Sequence, residues 1–150
     1  MIEINEIGYD EYKGLFFGEP VVIKKGAGEL VFDEPVVIME KAGDIKSDSF
    51  SGVTFRRGLF IEEGQRLIEK VAFQGAVFEG DVDIRFGLIS IGPGAFYNAA
   101  FGGDLYIPET VQEISEDAFK GAVIHGKLSC PARFQDCFTS CPKTFKAEYI

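Results

Sequence analysis

The sequence predicts a mainly β fold: a solenoid of about 23-residue coils, each with short strands and one short helical turn. Three observations predict it. Phenylalanine recurs at Phe50, Phe73, Phe96 and Phe119, in steps of 23 residues. Columns of apolar residues keep constant offsets from that marker. The 150-residue chain carries 18 Gly and no Trp, a composition of turns and short elements rather than long helices. A period of this size is the mark of stacked repeats, in which each unit buries its apolar face only against its neighbours.

The columns define the unit. Before the marker stand Ser49, Ala72, Ala95 and Ala118. Five residues after it stand Phe55, Phe78, Phe101 and Ile124, and nine after it Leu59, Val82, Leu105 and Leu128. Eleven after come Ile61, Ile84, Ile107 and Cys130; eighteen after come Ile68, Ile91, Ile114 and Cys137. Fifteen after come Gln65, Leu88, Val111 and Phe134, with Gln65 the polar exception. The segments GLFI (58–61), DVDI (81–84), GDLYIP (103–108) and GKLSCP (126–131) share one register, and the last two alternate apolar and polar residues as a strand does. Pro ends both of those. IEKVAFQG (68–75), IGPGAFYN (91–98) and ISEDAFKG (114–121) read as short helical turns, with Ser115 as N-cap and Gly75, Asn98 and Gly121 at the closing position. A return strand around GAVFEGDV completes the coil.

The register extends upstream. A virtual marker at Ala27 places Phe32, Val36, Ile38, Ala42 and Ile45 in the columns. The string EPVVI occurs at 19–23 and again at 34–38, and Phe17 and Phe32 share that offset, so the first coil reads as short. Downstream, Cys137-Phe138 repeats the Ala-Phe pair 19 residues after Ala118-Phe119, a loss of four residues from the last turn. The chain therefore divides into one repeat domain, 1–150: an N-terminal cap and short first coil at 1–27, repeats at 28–141 and a terminal strand at 142–150. Ile2, Ile4 and Ile7 with Asp10 and Glu11 are the candidate cap. TFKAEYI (144–150) turns Phe145, Ala147 and Tyr149 inward as a candidate assembly edge.

The cadence GDLYIPETVQEISEDAFKG, carried by Leu105, Ile107, Pro108, Val111, Ile114, Ala118, Phe119 and Gly121, resembles the BspA-like (Treponema pallidum type) leucine-rich repeat. The resemblance covers roughly residues 28–141 and implies a leucine-rich-repeat-like solenoid with a strand on one face. It also implies a binding protein, since family members are mostly bacterial surface adhesins and abundant protist repeat proteins. The repeat near Phe50 lacks the Pro, and no secretion tail accompanies the repeats.

Fifteen Lys and Arg against 24 Asp and Glu give a net charge of −9. That balance disfavours nucleic-acid binding, which needs cations to replace phosphate counterions, and no basic amphipathic helix suggests a membrane surface. The segment MIEINEIGYDEY lacks the basic and apolar regions of a signal peptide, and no apolar run approaches the ~20 residues of a membrane span. The expected location is the cytoplasm, or a virion or other particle assembled there. Cys130, Cys137 and Cys141 are an odd set confined to one end, which fits a reducing compartment rather than a disulfide framework.

Chemistry is hard to place on this pattern. His125 follows the column residue Ile124 and should face solvent. The three cysteines do not form a CxxC pair, and Cys130 and Cys137 occupy core columns. GAGE (26–29) and IGPG (91–94) are not followed by the Lys of a phosphate loop. Glu109, Glu113, Glu116 and Asp117 lack calcium-loop spacing and read as a solvated acidic segment. No catalytic residue, metal or cofactor is expected.

One surface stands out. The residue between the two inward strand positions points outward: Val37, Phe60, Asp83, Tyr106 and Ser129, followed by Met39, Glu62, Arg85, Pro108 and Pro131. Stacked coil on coil, these form a ladder in which Phe60, Asp83, Arg85 and Tyr106 are the candidate binding residues, of types enriched at interfaces. The sequence thus points to a non-enzymatic protein-interaction module with a protein partner. The alternative is a structural or decoration subunit of a virion or surface layer, self-associating or docking through its C-terminal edge. A weaker third reading is an acidic mimic of nucleic acid.

Overall fold

The computed structural model describes residues 30–64 and 66–150, the side chain of Lys41 excepted, and the backbone of strands Ile2–Ile4, Leu15–Phe17 and Val21–Ile23. Ile7, Asp10, Glu11, Ala27, the corner at 26–29 and Gln65 lie outside the described residues. The chain is a mainly β solenoid of about five coils with a ~23-residue step.

Three parallel sheets run along the stack. The first face is seven-stranded, in the order Lys146–Tyr149, Lys127–Cys130, Leu105–Tyr106, Val82–Ile84, Leu59–Ile61, Val36–Ile38, Leu15–Phe17. The second holds Glu113–Ile114, Leu88–Ile91 and Arg66–Ile68, and Ile45 bridges to Ile68. The third holds Val123–Ile124, Ala100–Phe101, Val77–Phe78, Thr54–Phe55 and Val31–Phe32. Each strand is two to four residues long because the chain turns a corner after it. The pairing keeps the 23-residue register: Leu59 lies beside Val82, and Val82 beside Leu105.

Two rows of rings fill the interior. Phe50, Phe73, Phe96 and Phe119 stack nearly parallel, with centroids 5.2, 5.1 and 5.0 Å apart, and Phe138 adds a fifth ring 4.6 Å beyond Phe119. Phe32, Phe55, Phe78 and Phe101 form the second row, at 5.5, 5.1 and 4.9 Å. These spacings follow the strand separation of roughly 4.7–4.9 Å, which stacks like residue on like. The position before the marker is fully buried at Ala72, Ala95 and Ala118, where only a small side chain fits. Ser49 takes the same place and donates its hydroxyl to Lys46 O at 2.6 Å, so its polar atom is satisfied.

The helical turns are of the 3-10 type. Ala118 N–H donates to Ser115 O and Ala122 N–H to Phe119 O, both at 3.0 Å. They stop after one turn because the marker's own N–H leaves the turn: Phe50, Phe73 and Phe96 donate to Ala72, Ala95 and Ala118 O of the next coil at 2.7–2.8 Å. Ser115 contributes its carbonyl to this turn rather than a side-chain cap, and its N–H donates to Ile91 O. The closing column is left-handed throughout, at Gly52, Gly75, Asn98 and Gly121, with φ between 56° and 74°. A longer 3-10 segment, Ala132–Phe138, replaces the corner of the last coil and buries Phe134 and Phe138.

Two features of the sequence register do not carry into the structure. The repeated EPVVI strings are not stacked: Val36–Ile38 pairs with Leu15–Phe17, whereas Val21–Ile23 pairs with Ile2–Ile4. A β-branched triplet specifies a strand without specifying its neighbour. And Leu88 lies beside Arg66, not Gln65, because the ladder shifts by one residue between Leu88 and Ser90. The buried polar side chain in that column is therefore Arg66, only 2% exposed.

Candidate functional site

The outward ladder is continuous on the first face. Val37 pairs with Phe60, Phe60 with Asp83, Asp83 with Tyr106, Tyr106 with Ser129 and Ser129 with Glu148. Period-2 alternation places these side chains on the outer surface, since their neighbours Leu59, Val82, Leu105 and Leu128 are buried. Phe60, Asp83, Arg85 and Tyr106 line one groove of about 490 Å³. Phe60 is 37% exposed. Tyr106 and Asp83 are half-buried, and Arg85 is exposed. Pro108 and Pro131, expected to continue the outward row, are instead buried, because the chain bends inward after each strand.

Sequence reasoning missed one member. Phe86 lines the same groove and, at 54%, is more exposed than Phe60. Its counterparts one coil away on either side are Glu63 and Glu109, so an aromatic in a polar column was the available signal. A ring this exposed on a charged surface has no packing role to account for it.

The groove is acidic. Glu63, Asp81, Asp83 and Asp104 line it with two cations, Arg85 and Lys127. Both cations are already matched. Arg85 Nη2 lies 3.3 Å from Asp83 Oδ2, and Lys127 Nζ pairs with Glu148, a hydrogen bond that raises the lysine's pKa. Asp81 and Asp104 also build the corner: each accepts, through Oδ1, the N–H of the residue one coil on, Asp104 at 2.8 Å and Lys127 at 2.7 Å. Two of the surplus carboxylates, Asp81 and Asp104, are thus held by backbone N–H groups in the groove that Phe60, Phe86 and Tyr106 also line.

The last strand offers a second surface. Ala147 lies beside Leu128 and Tyr149 beside Cys130, so both stand in core columns. Yet Ala147 is exposed and Phe145 and Tyr149 are half-buried. No further coil covers them among the described residues. They share a groove of about 390 Å³ with Phe138 and the outer side of Ala132–Phe138.

The remaining chemistry-bearing groups are dispersed. Cys130 and Cys141 are buried and Cys137 partly so, all as free thiols. Burial, with a smaller contribution from Cys137, pushes the Cys130 pKa up to about 12. Burial also raises those of Cys137 and Cys141. Cys141 Sγ lies 3.4 Å from Phe119 O, as a protonated donor would. A thiol held protonated is a poor nucleophile and metal ligand. His125 is exposed, and no cluster of three or more His, Cys, Asp or Glu is placed to hold a metal among the described residues. Arg66 donates to Gly43 O at 3.2 Å and Met39 O at 3.4 Å. Its buried Nε has no partner. Desolvation lowers the Arg66 pKa against the opposing pull of Glu62, Asp44 and Glu40. This guanidinium ties its own strand to both ends of the Glu40–Ala42 turn one coil before and does not line the groove.

No described helix is long and apolar enough to cross a membrane. Compared with protein-family models, curated proteins and solved structures, the chain matches none of them.

Proposed function

We propose that this protein is a non-enzymatic interaction module that captures a protein segment in the first-face groove. The observation that carries this reading is the convergence of Phe60, Phe86 and Tyr106 on one acidic groove whose cations are already paired. Aromatic rings supply desolvated contact area, and the surplus carboxylates select a cationic segment and speed its approach. The ligand class is an extended peptide with Lys or Arg beside an apolar anchor. The BspA-like reading accords with this role through the 23-residue step and the Ala-Phe column. The three free cysteines favour a reducing compartment, or a particle assembled in one.

The test is selection from a random peptide library, followed by fluorescence polarisation with the enriched peptides. Enriched peptides should be basic with an apolar anchor, and raising salt should weaken them. Changing Phe60 and Tyr106 together to Ser should abolish binding while shifting stability by only about 0.5 kcal/mol per exposed site, somewhat more for the half-buried Tyr106. Enrichment that survives the double substitution would move the site elsewhere.

A second reading, a subunit of a larger assembly, draws on the uncovered C-terminal strand.

A further inference from the structure

We propose that two copies of this chain pair through Lys146–Tyr149 as antiparallel strands, around a two-fold axis at Ala147.

The backbone sets the geometry. Lys146 N–H donates to Gly126 O at 3.3 Å and Ile150 N–H to Cys130 O at 3.0 Å, while Ile150 O accepts from Ala132 N–H at 2.9 Å. Even-numbered residues therefore turn their peptide groups toward their own coil. Strand alternation turns the N–H and C=O of Phe145, Ala147 and Tyr149 to the opposite edge. That edge pairs with no strand among the described residues. Unpaired strand edges are templates for another chain.

The side chains choose the partner. From Phe145 to Tyr149 the sequence reads aromatic, cation, alanine, anion, aromatic. Laid antiparallel on itself about Ala147, this segment sets Phe145 opposite Tyr149, Lys146 opposite Glu148 and Ala147 opposite Ala147. A two-fold interface demands such self-complementarity. In this register the opposed residues 145/149 and 147/147 are those whose peptide groups face outward. They form the hydrogen-bonded pairs of an antiparallel ladder, each exchanging both bonds.

Charge agrees. Within its own sheet Lys146 stands directly beside Lys127, a like-charged neighbour, and Glu148 is engaged by Lys127. Lys146 has no acidic partner among the described residues, and the second copy supplies Glu148. The end groove carries Asp136 and Lys143 as well, so this end is balanced while the chain as a whole is at −9. Two copies repel least at their neutral end. The second copy also covers Ala147 and Tyr149, which stand in core columns, and the half-buried Phe145 on the same face.

The experiment is sedimentation equilibrium of the full chain across the micromolar range, with circular dichroism on each variant. Full-length protein should dimerise. Ala147→Pro removes a peptide N–H that the single chain does not use, and should give a folded monomer. Lys146→Glu alone and Glu148→Lys alone each turn two attractive pairs repulsive and should weaken the dimer about tenfold. Mixing these two variants should restore association as a heterodimer, as should combining both changes in one chain. A wild-type monomer at high concentration overturns the proposal. So does a dimer indifferent to Ala147→Pro, or single reversals that mixing does not rescue. The rescue keeps the test decisive even if one variant is less stable, because a misfolded chain cannot be restored by mixing.

Discussion

Cys130 shows how a column position decides the chemistry of a residue. Its place beside Leu128 and under Tyr149 removes the thiol from water and holds it protonated up to about pH 12. In the unfolded chain the same thiol ionises near 9.0. Above that pH the unfolded state has lost a proton that the native state keeps, so stability falls as pH rises through the window from 9 to 12. Cys137 and Cys141 act in the same direction. Under reducing conditions the urea midpoint should therefore drop between pH 8.5 and pH 11. The slope from Cys130 has a ceiling of about 1.4 kcal/mol per pH unit. Cys130→Ala should flatten that slope, whatever it does to stability at neutral pH; an unchanged slope would mean the thiol is not protected. The sequence announced Cys130 as a core residue because its column is aliphatic elsewhere. It hid Arg66, because the count from the marker lands on Gln65 and only a one-residue shift in the ladder brings the guanidinium inside. Phe86 was hidden differently: it departs from the polar column of Glu63 and Glu109, but that departure gains a meaning only from the groove beside it.

At the scale of elements, strand positions were legible because stacking repeats one register, and every coil votes on it. Corners were less so. A corner is set by backbone geometry and by what the adjacent coil leaves room for, and residue type reports on this only through glycine. Gly87 and Gly52 separate the two requirements. Both have positive φ, +105° and +72°. A Cβ on Gly52 meets open space, whereas a Cβ on Gly87 would lie 2.4 Å from Gly64 O, in the corner of the coil beneath. Gly52→Ala should cost only the left-handed penalty of about 1–2 kcal/mol. Gly87→Ala combines strain with a backbone collision that no side-chain rotation relieves, and should cost more than about 3 kcal/mol. Thermal melts of the two variants compare them directly, and equal losses would show that the coils can slide apart at that corner. The 3-10 turns follow the same logic. Their sequence carries the signals of a helix, but the N–H groups of Phe50, Phe73 and Phe96 are bonded to the next coil, so the helix cannot propagate.

The molecule as a whole is a one-dimensional stack, and its stability should be distributed as one. Phe73, Phe96 and Phe119 each pack against the ring of the coil before and the ring of the coil after. In such an array stability is a sum of unit terms and nearest-neighbour interfaces. Phe96 is fully buried between Phe73 and Phe119, at 5.1 and 5.0 Å. Phe96→Ala should cost about 3–5 kcal/mol and weaken the coils on both sides. Phe138 has one neighbour in the row, Phe119, and closes the end. Phe138→Ala should remove protection mainly from the terminal strands Lys127–Cys130 and Lys146–Tyr149, leaving the amides of Thr54–Phe55 and Val77–Phe78 nearly as slow as before. Native-state hydrogen exchange read by mass spectrometry resolves the two patterns. The end substitution would loosen the edge that pairs the copies and the Lys127–Ser129 rim of the ladder groove beside it, while the part of the groove from Phe60 to Asp83 kept its shape. If Phe138→Ala instead lowered protection uniformly from Val31 to Tyr149, the coils would unfold as one cooperative unit, and the end of the stack could not loosen without loss of the groove.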